Sequence, residues 1–290
     1  MRRRWSIGRR FLELAVVCFT MIGCINSETV IQVSPDGSGQ VIERTLLSKV
    51  FVDQLTAMFQ GFAGPSDSKN SDRKGTKAPD LFTEESARKR VTRFGEGVSF
   101  VSSKKISTAD WEGLESVFAF KDIRTIRLSG TPESLTGMDP ENVTSARSTP
   151  STFGFEKLAN GDVLLTVMTS PVEKKESATR TESSTPESKP SPTESSTETE
   201  GLKKMLAGFR VLNAIEIQGT VVRTTIPYQA GNRLTLLELD FGQLLGNAEK
   251  LQELKLLKPK TLDEAKSLLA DVPGIKIPLE SKMTVEFRGR

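Results

Sequence analysis

Histidine is absent from all 290 residues, and that absence removes more chemistry than any single residue present supplies. Ser-His-Asp and Cys-His nucleophile systems are excluded, and so are histidine-rich zinc sites. Carboxylates, lysines and one tyrosine, Tyr228, are left as acid–base groups. Cysteine is almost missing too: Cys18 and Cys24 are the only two, so no disulfide framework can be written for the rest of the chain. There is no phosphate-binding glycine loop and no metal-ligand spacing, so neither cofactor nor metal is expected. The net charge of +3 arises at the N-terminus, where residues 1–23 hold five arginines against Glu13. The remainder carries 35 basic and 36 acidic residues (40 less 5, 37 less 1), which leaves no basic excess to argue for a nucleic-acid partner.

What is present organises itself around the first two dozen residues. Arg2, Arg3, Arg4, Arg9 and Arg10 precede an apolar run from Leu14 to Gly23, the layout of a secretory signal. Residues 11–23 as a helix would reach roughly 20 Å at about 1.5 Å per residue, short of a ~30 Å bilayer core. Met21-Ile22-Gly23-Cys24 resembles the lipobox of bacterial lipoproteins, with Met21 where leucine is usual. That resemblance implies cleavage before Cys24 and acylation of its sulfur. Residues 1–23 are then a lipoprotein signal peptide, 24–28 a lipidated tether and 29–290 the exported cargo. The competing readings are an uncleaved signal anchor and a secreted protein with a free thiol.

In the cargo, 29–33 and 40–46 read as strands around Ser34-Pro35-Asp36-Gly37-Ser38-Gly39. Proline, aspartate and glycines between β-branched runs are turn chemistry, and the full spacing of a calcium loop is missing. Leu47, Phe51, Leu55, Met58 and Phe62 mark one face of a helix. Residues 64–79 read as a loop. Thr83 is placed to cap a helix carrying Ala87, Val91 and Phe94, with Gly95 just past its end. Strands are expected at 98–105 and 115–121, then a hairpin of 153–157 and 163–169 around Asn160-Gly161. In 172–200, serine, threonine, glutamate and proline make up 23 of 29 residues. Such a stretch cannot offset about 1–2 kcal/mol of backbone entropy per ordered residue, and disorder is predicted. Beyond it, 209–217, 220–226 and 234–241 read as an antiparallel meander. Two helices follow, one capped by Asn247 and one opened by a Thr261/Glu264 capping box, and strands at 275–279 and 283–287 close the chain. The fold class predicted is α+β: antiparallel sheet with packed helices, in a single domain with loops near 64–79 and 172–200.

Two carboxylates stand out, Asp122 and Asp240, because each ends a strand. Either they cap the turns that follow, or they meet in space as an acid–base pair. Glu84 with Glu85 and Lys104 with Lys105 read as solvated ends.

The cysteine followed by a strand, the Asp-Gly-x-Gly hairpin, Gly95-Glu96-Gly97-Val98-Ser99-Phe100-Val101 and Phe120-Lys121-Asp122-Ile123 is similar to a group of bacterial envelope lipoproteins. More loosely, it resembles the LppM-type lipoprotein domain, as do Leu236-Leu237-Glu238-Leu239-Asp240-Phe241 and Asp271-Val272-Pro273-Gly274-Ile275. The resemblance implies an α+β domain on the envelope and transfers no catalytic residue. Three functions are carried forward: a non-enzymatic module that binds lipid or another apolar envelope component, a scaffolding partner of other envelope proteins, and a carboxylate hydrolase using Asp122 and Asp240. Under the first two, the partners are the membrane, through acyl chains on Cys24, and a lipid ligand or envelope proteins.

Overall fold

The computed structural model describes residues 25–62, 82–129, 150–169, 208–247, 264 and 272–289. Among these residues, twelve strands form two sheets. The larger runs β11 (Ile275–Lys276), β10 (Arg233–Asp240), β7 (Arg210–Ile217), β1 (Ile25–Val33), β2 (Gly39–Ser48), β4 (Trp111–Phe120), β3 (Ser99–Ser107), with β9 (Gln229–Ala230) alongside β10. The smaller runs β5 (Thr152–Lys157), β6 (Val163–Met168), β12 (Lys282–Arg288), β8 (Thr220–Thr224). Both predicted hairpins form where their turn residues stand. Ser34 donates to the Ser38 carbonyl at 2.8 Å beneath Gly37, and Leu158 donates to the Asp162 carbonyl at 2.8 Å beneath Gly161.

The core lies between the sheets. Ile31, Val33, Val41, Phe118, Phe120, Ile215 and Ile217 face it from the large sheet, and Phe153, Leu165, Val167, Met283, Val285 and Phe287 from the small one. Strands from before and after residues 172–200 therefore join in both sheets, β1 pairing with β7 and β6 with β12.

Four expectations are corrected. The sheet is not purely antiparallel, because β7 runs parallel to β1, Asn26 opposite Arg210 through Val33 opposite Ile217. Its burial on both faces is what such a central position demands. Nor is there a three-strand meander: β8 leaves β7's sheet and pairs with β12 in the other. At the crossing, a Cβ on Gly219 would meet the Arg288 carbonyl oxygen at 2.3 Å, so the exchange needs a glycine. The polar tether at 24–28 is replaced by strand from Ile25 onward. Ser27 faces inward and Glu28 pairs outward with Arg233 and Arg44, partners distant in sequence that make a polar segment orderable.

Packed helices, finally, are not the second layer in the described part of the chain, where the small sheet faces the large one across the core. Among the described residues, α1 (Lys49–Phe62) continues directly from β2, taking Leu47 into the strand. α2 (Glu84–Lys89) with a 3-10 turn (Val91–Phe94) sits near the β3–β4 edge, and α3 (Phe241–Leu245) is barely more than a turn. Apolar spacing of three to four specifies a helix but not the surface it covers, and here the small sheet takes the inner face. No helix among the described residues is long and apolar enough to cross a membrane. The loops at 64–79 and 172–200, the helix after Asn247 and all of the Thr261 helix except Glu264 lie outside the described residues.

Candidate functional site

The inner face of the large sheet divides into two halves. In the half containing Val33, successive rows are apolar: Ile217, Val33 and Phe120, then Ile215, Ile31, Val41 and Phe118. One step toward Ile25 the chemistry changes. Asn213 on β7, Thr29 on β1, Glu43 on β2 and Ser116 on β4 are direct register partners and form a polar row, roughly 14 Å wide at about 4.8 Å per strand. All four are buried, as are Ser27 and Thr45 in the next row.

Arg90 completes the cluster from outside the sheet. Thr83 starts α2 by accepting a hydrogen bond from the Ser86 amide at 3.1 Å. Ala87 is buried and Phe94 packs on Phe118, ring centroids 4.9 Å apart, so this segment is seated at both ends. Arg90 lies between these two seats, which directs it at the polar row. One of its terminal nitrogens donates to Ser116 Oγ at 3.2 Å, and its Nε lies 3.3 Å from Glu43 Oε2. The side chains of Arg90 and Glu43 are 15% and 8% exposed, so the pair is screened from bulk water. Burial pushes the Arg90 guanidinium below its ordinary value, Glu43 opposes that, and Arg93 adds to it.

The pair is close but misaligned. Among the described residues, Glu43 Oε2, Arg90 Nε and Thr45 Oγ have no hydrogen-bond partner. Leaving such an atom buried and unsatisfied costs about 1–3 kcal/mol. Glu43 and Thr45 face the same side of β2 two residues apart, so Arg90 Nε could still donate to, and Glu43 Oε2 and Thr45 Oγ still bond, a further polar group. Glu43 and Arg90 cancel in charge, so a group without net charge fits best. On the far side of the row, Asn213 Nδ2 donates to the Ser129 carbonyl at 3.2 Å.

The residues singled out in the sequence lie elsewhere. Asp122 accepts from the Arg124 amide at 2.9 Å and caps the 3-10 turn Ile123–Thr125, and Arg124 holds its carboxyl below the usual range. Asp240 accepts from the Gln243 amide at 3.0 Å and caps α3. They are not brought together. Asp122 follows β4 at the Val33 end of the sheet, whereas Asp240 pairs with Arg210 and thus with Asn26 at the other. Seven strand steps of about 3.3 Å put these ends roughly 23 Å apart. Asp36 accepts from both the amide and the hydroxyl of Ser38, as a turn residue does. Cys24 lies outside the described residues. Among those residues, no cluster of three or more His, Cys, Asp or Glu side chains forms a metal site.

Glu43, Thr45 and Arg90 were not singled out from the sequence. One signal was available: Glu43 and Thr45 alternate in phase with Val41 and Leu47, so the apolar face of that strand carries them inward.

No protein-family model matches the chain, and no characterised protein matches its sequence. Among solved structures, the chain is similar to the NMR structure of the folded domain of Mycobacterium tuberculosis LppM. The match covers 92% of this chain and 91% of that one, at 11% identity and a TM-score of 0.30. A likeness that loose assigns neither fold nor function.

Proposed function

We propose that this protein is a non-enzymatic binding module of the cell envelope, exported and held on a membrane by acyl chains on Cys24. Its ligand is a lipid or another apolar envelope component that presents an uncharged group rich in hydroxyl or amide functions to Glu43, Thr45 and Arg90. The observation that carries this reading is the cluster of unsatisfied, charge-balanced polar atoms at Glu43, Thr45 and Arg90, buried beside the apolar core on the same sheet face. The resemblance of Met21-Ile22-Gly23-Cys24 to a lipobox supports that location.

The test is to purify the acylated protein from its own envelope in mild detergent and identify by mass spectrometry what small molecules it releases on denaturation. A lipid with a neutral, hydrogen-bonding head is expected, near one per protein, and reduced several-fold in folded Glu43→Gln and Arg90→Met variants. Release of nothing, or equal release from the variants, would mean that the cluster is satisfied by water alone.

A second reading, a scaffolding partner of other envelope proteins, draws on β8. This edge strand of the small sheet exposes 45% of Val222, and an edge with apolar side chains is a template for strand addition.

A further inference from the structure

We infer that the Ile25 end of the large sheet is the surface that lies on the membrane, with Trp111 and the Phe209–Phe241 pair at the depth of the lipid headgroups. This rests on the anchoring of Cys24 proposed above. It turns on where β1 begins. Ile25 is already a buried strand residue, opposite Leu47. The acylated residue would be its immediate neighbour, about 3.8 Å away from Cα to Cα. No spacer remains to hold the domain off the bilayer, so whatever surrounds the start of β1 must meet the lipid.

The register shows what surrounds it. β1 is central in its sheet, with β2 and β4 on one side and β7 and β10 on the other. On the first side, Trp111 opens β4 opposite Ser48. α1 starts beside it, the Lys49 amide donating to the Asp110 carbonyl at 2.8 Å, and Val50 is 65% exposed. On the second side, Phe209 and Phe241 flank the Arg210–Asp240 register pair. Their rings meet edge to face at 5.3 Å, and the Phe241 amide donates to the Phe209 carbonyl at 3.0 Å. Trp111, Phe209 and Phe241 are all half-buried. Half-covered aromatic rings around a lipid attachment point suit the zone between headgroups and acyl chains, where one part of a ring is wet and the other apolar.

Charge argues for the same mode of contact. Among the described residues, Lys49 and Arg210 stand at this end with Asp110, Glu112 and Asp240, a set with no cationic excess to require anionic lipid. Contact is therefore apolar and aromatic, and a zwitterionic surface suffices. At the opposite end of the sheet lie the Asp36 turn and Gln218, about 26 Å away along β1's eight strand steps.

Tryptophan fluorescence tests this directly. The chain has two tryptophans, Trp5 and Trp111, and cleavage before Cys24 removes the first. The acylated protein is reconstituted into phosphatidylcholine vesicles carrying either a headgroup spin label or brominated acyl chains. Trp111 should be quenched strongly by the headgroup label and measurably by the shallow bromines. In a Trp111→Phe, Gln218→Trp variant the single tryptophan should escape both. Adding phosphatidylglycerol should leave the result unchanged. Equal quenching at the two positions, or none at either, in protein whose mass shows the acyl chains would overturn the orientation and leave the anchor standing. A mass without acyl chains would overturn both.

Discussion

Arg90 and Glu43 meet with Nε and Oε2 3.3 Å apart, yet neither atom makes a hydrogen bond among the described residues. They are opposite charges in a setting where attraction alone does not repay desolvation, and removing one partner strands the other. Glu43→Ala and Arg90→Ala should each cost about 3–5 kcal/mol in urea unfolding. An apolar double replacement, Glu43→Leu with Arg90→Met, should cost clearly less than the two losses added. Single losses below about 1 kcal/mol would show a pair solvated like a surface one, and would remove the basis of the candidate site.

The two capping aspartates offer a different test. Asp122→Ala and Asp240→Ala should each lower stability by about 1 kcal/mol, the usual worth of an N-cap. Because they stand at opposite ends of the sheet, the double variant should show the simple sum. A coupling energy beyond about 0.5 kcal/mol would reopen the possibility that they act together.

Gly95 has φ +114°, and a Cβ on it would lie 2.0 Å from the Thr125 carbonyl oxygen, where the chain bridges to Ile126. Gly97 has φ +73° and open space around it. Gly97→Ala should therefore cost about 1 kcal/mol from conformation alone, and Gly95→Ala markedly more, because backbone must move as well. Thermal denaturation of the two variants side by side decides it; equal losses would contradict the close approach.

Acid sensitivity should centre on Glu238. Burial is the strongest single influence on it and pushes its carboxyl upward. Hydrogen bonds from Lys276 at 2.7 Å and Arg210 at 2.8 Å together outweigh this and hold it below its ordinary value. A carboxyl depressed in the folded state binds protons less readily there than in the unfolded chain. Its contribution is therefore complete above the unfolded value, about 4.3, and fades as pH falls through the folded one. Melting temperatures from pH 7 to 3 should fall on the acid side, and Glu238→Gln should flatten that fall. An unchanged acid limb in the variant would assign the sensitivity to other carboxyls.

Local chemistry was legible in the sequence where it acts locally. Asp36-Gly37 and Asn160-Gly161 made their hairpins, Thr83 capped its helix, and Phe118 and Phe120 shared a buried face. Pairing at a distance was not legible. The turns flanking β8 say that a strand lies between them, but not which sheet receives it. The polarity of Ser27 and Glu28 reads as a tether until Arg233, more than 200 residues away, supplies a partner. The candidate site belongs to this second kind. Glu43 is buried through β1, β4 and Arg90, and only its phase with Val41 and Leu47 hinted at it.

The most direct test of the whole account is the chemistry of one sulfur. Cells expressing the protein are labelled metabolically with a fatty acid, and the protein is recovered and weighed intact. The account predicts label on the wild type, a mass beginning at Cys24 with acyl chains added, and neither in Cys24→Ala, which should remain as precursor in whatever fraction it reaches. Equal labelling of Cys24→Ala and wild type, or a wild-type mass without acyl chains, would contradict it.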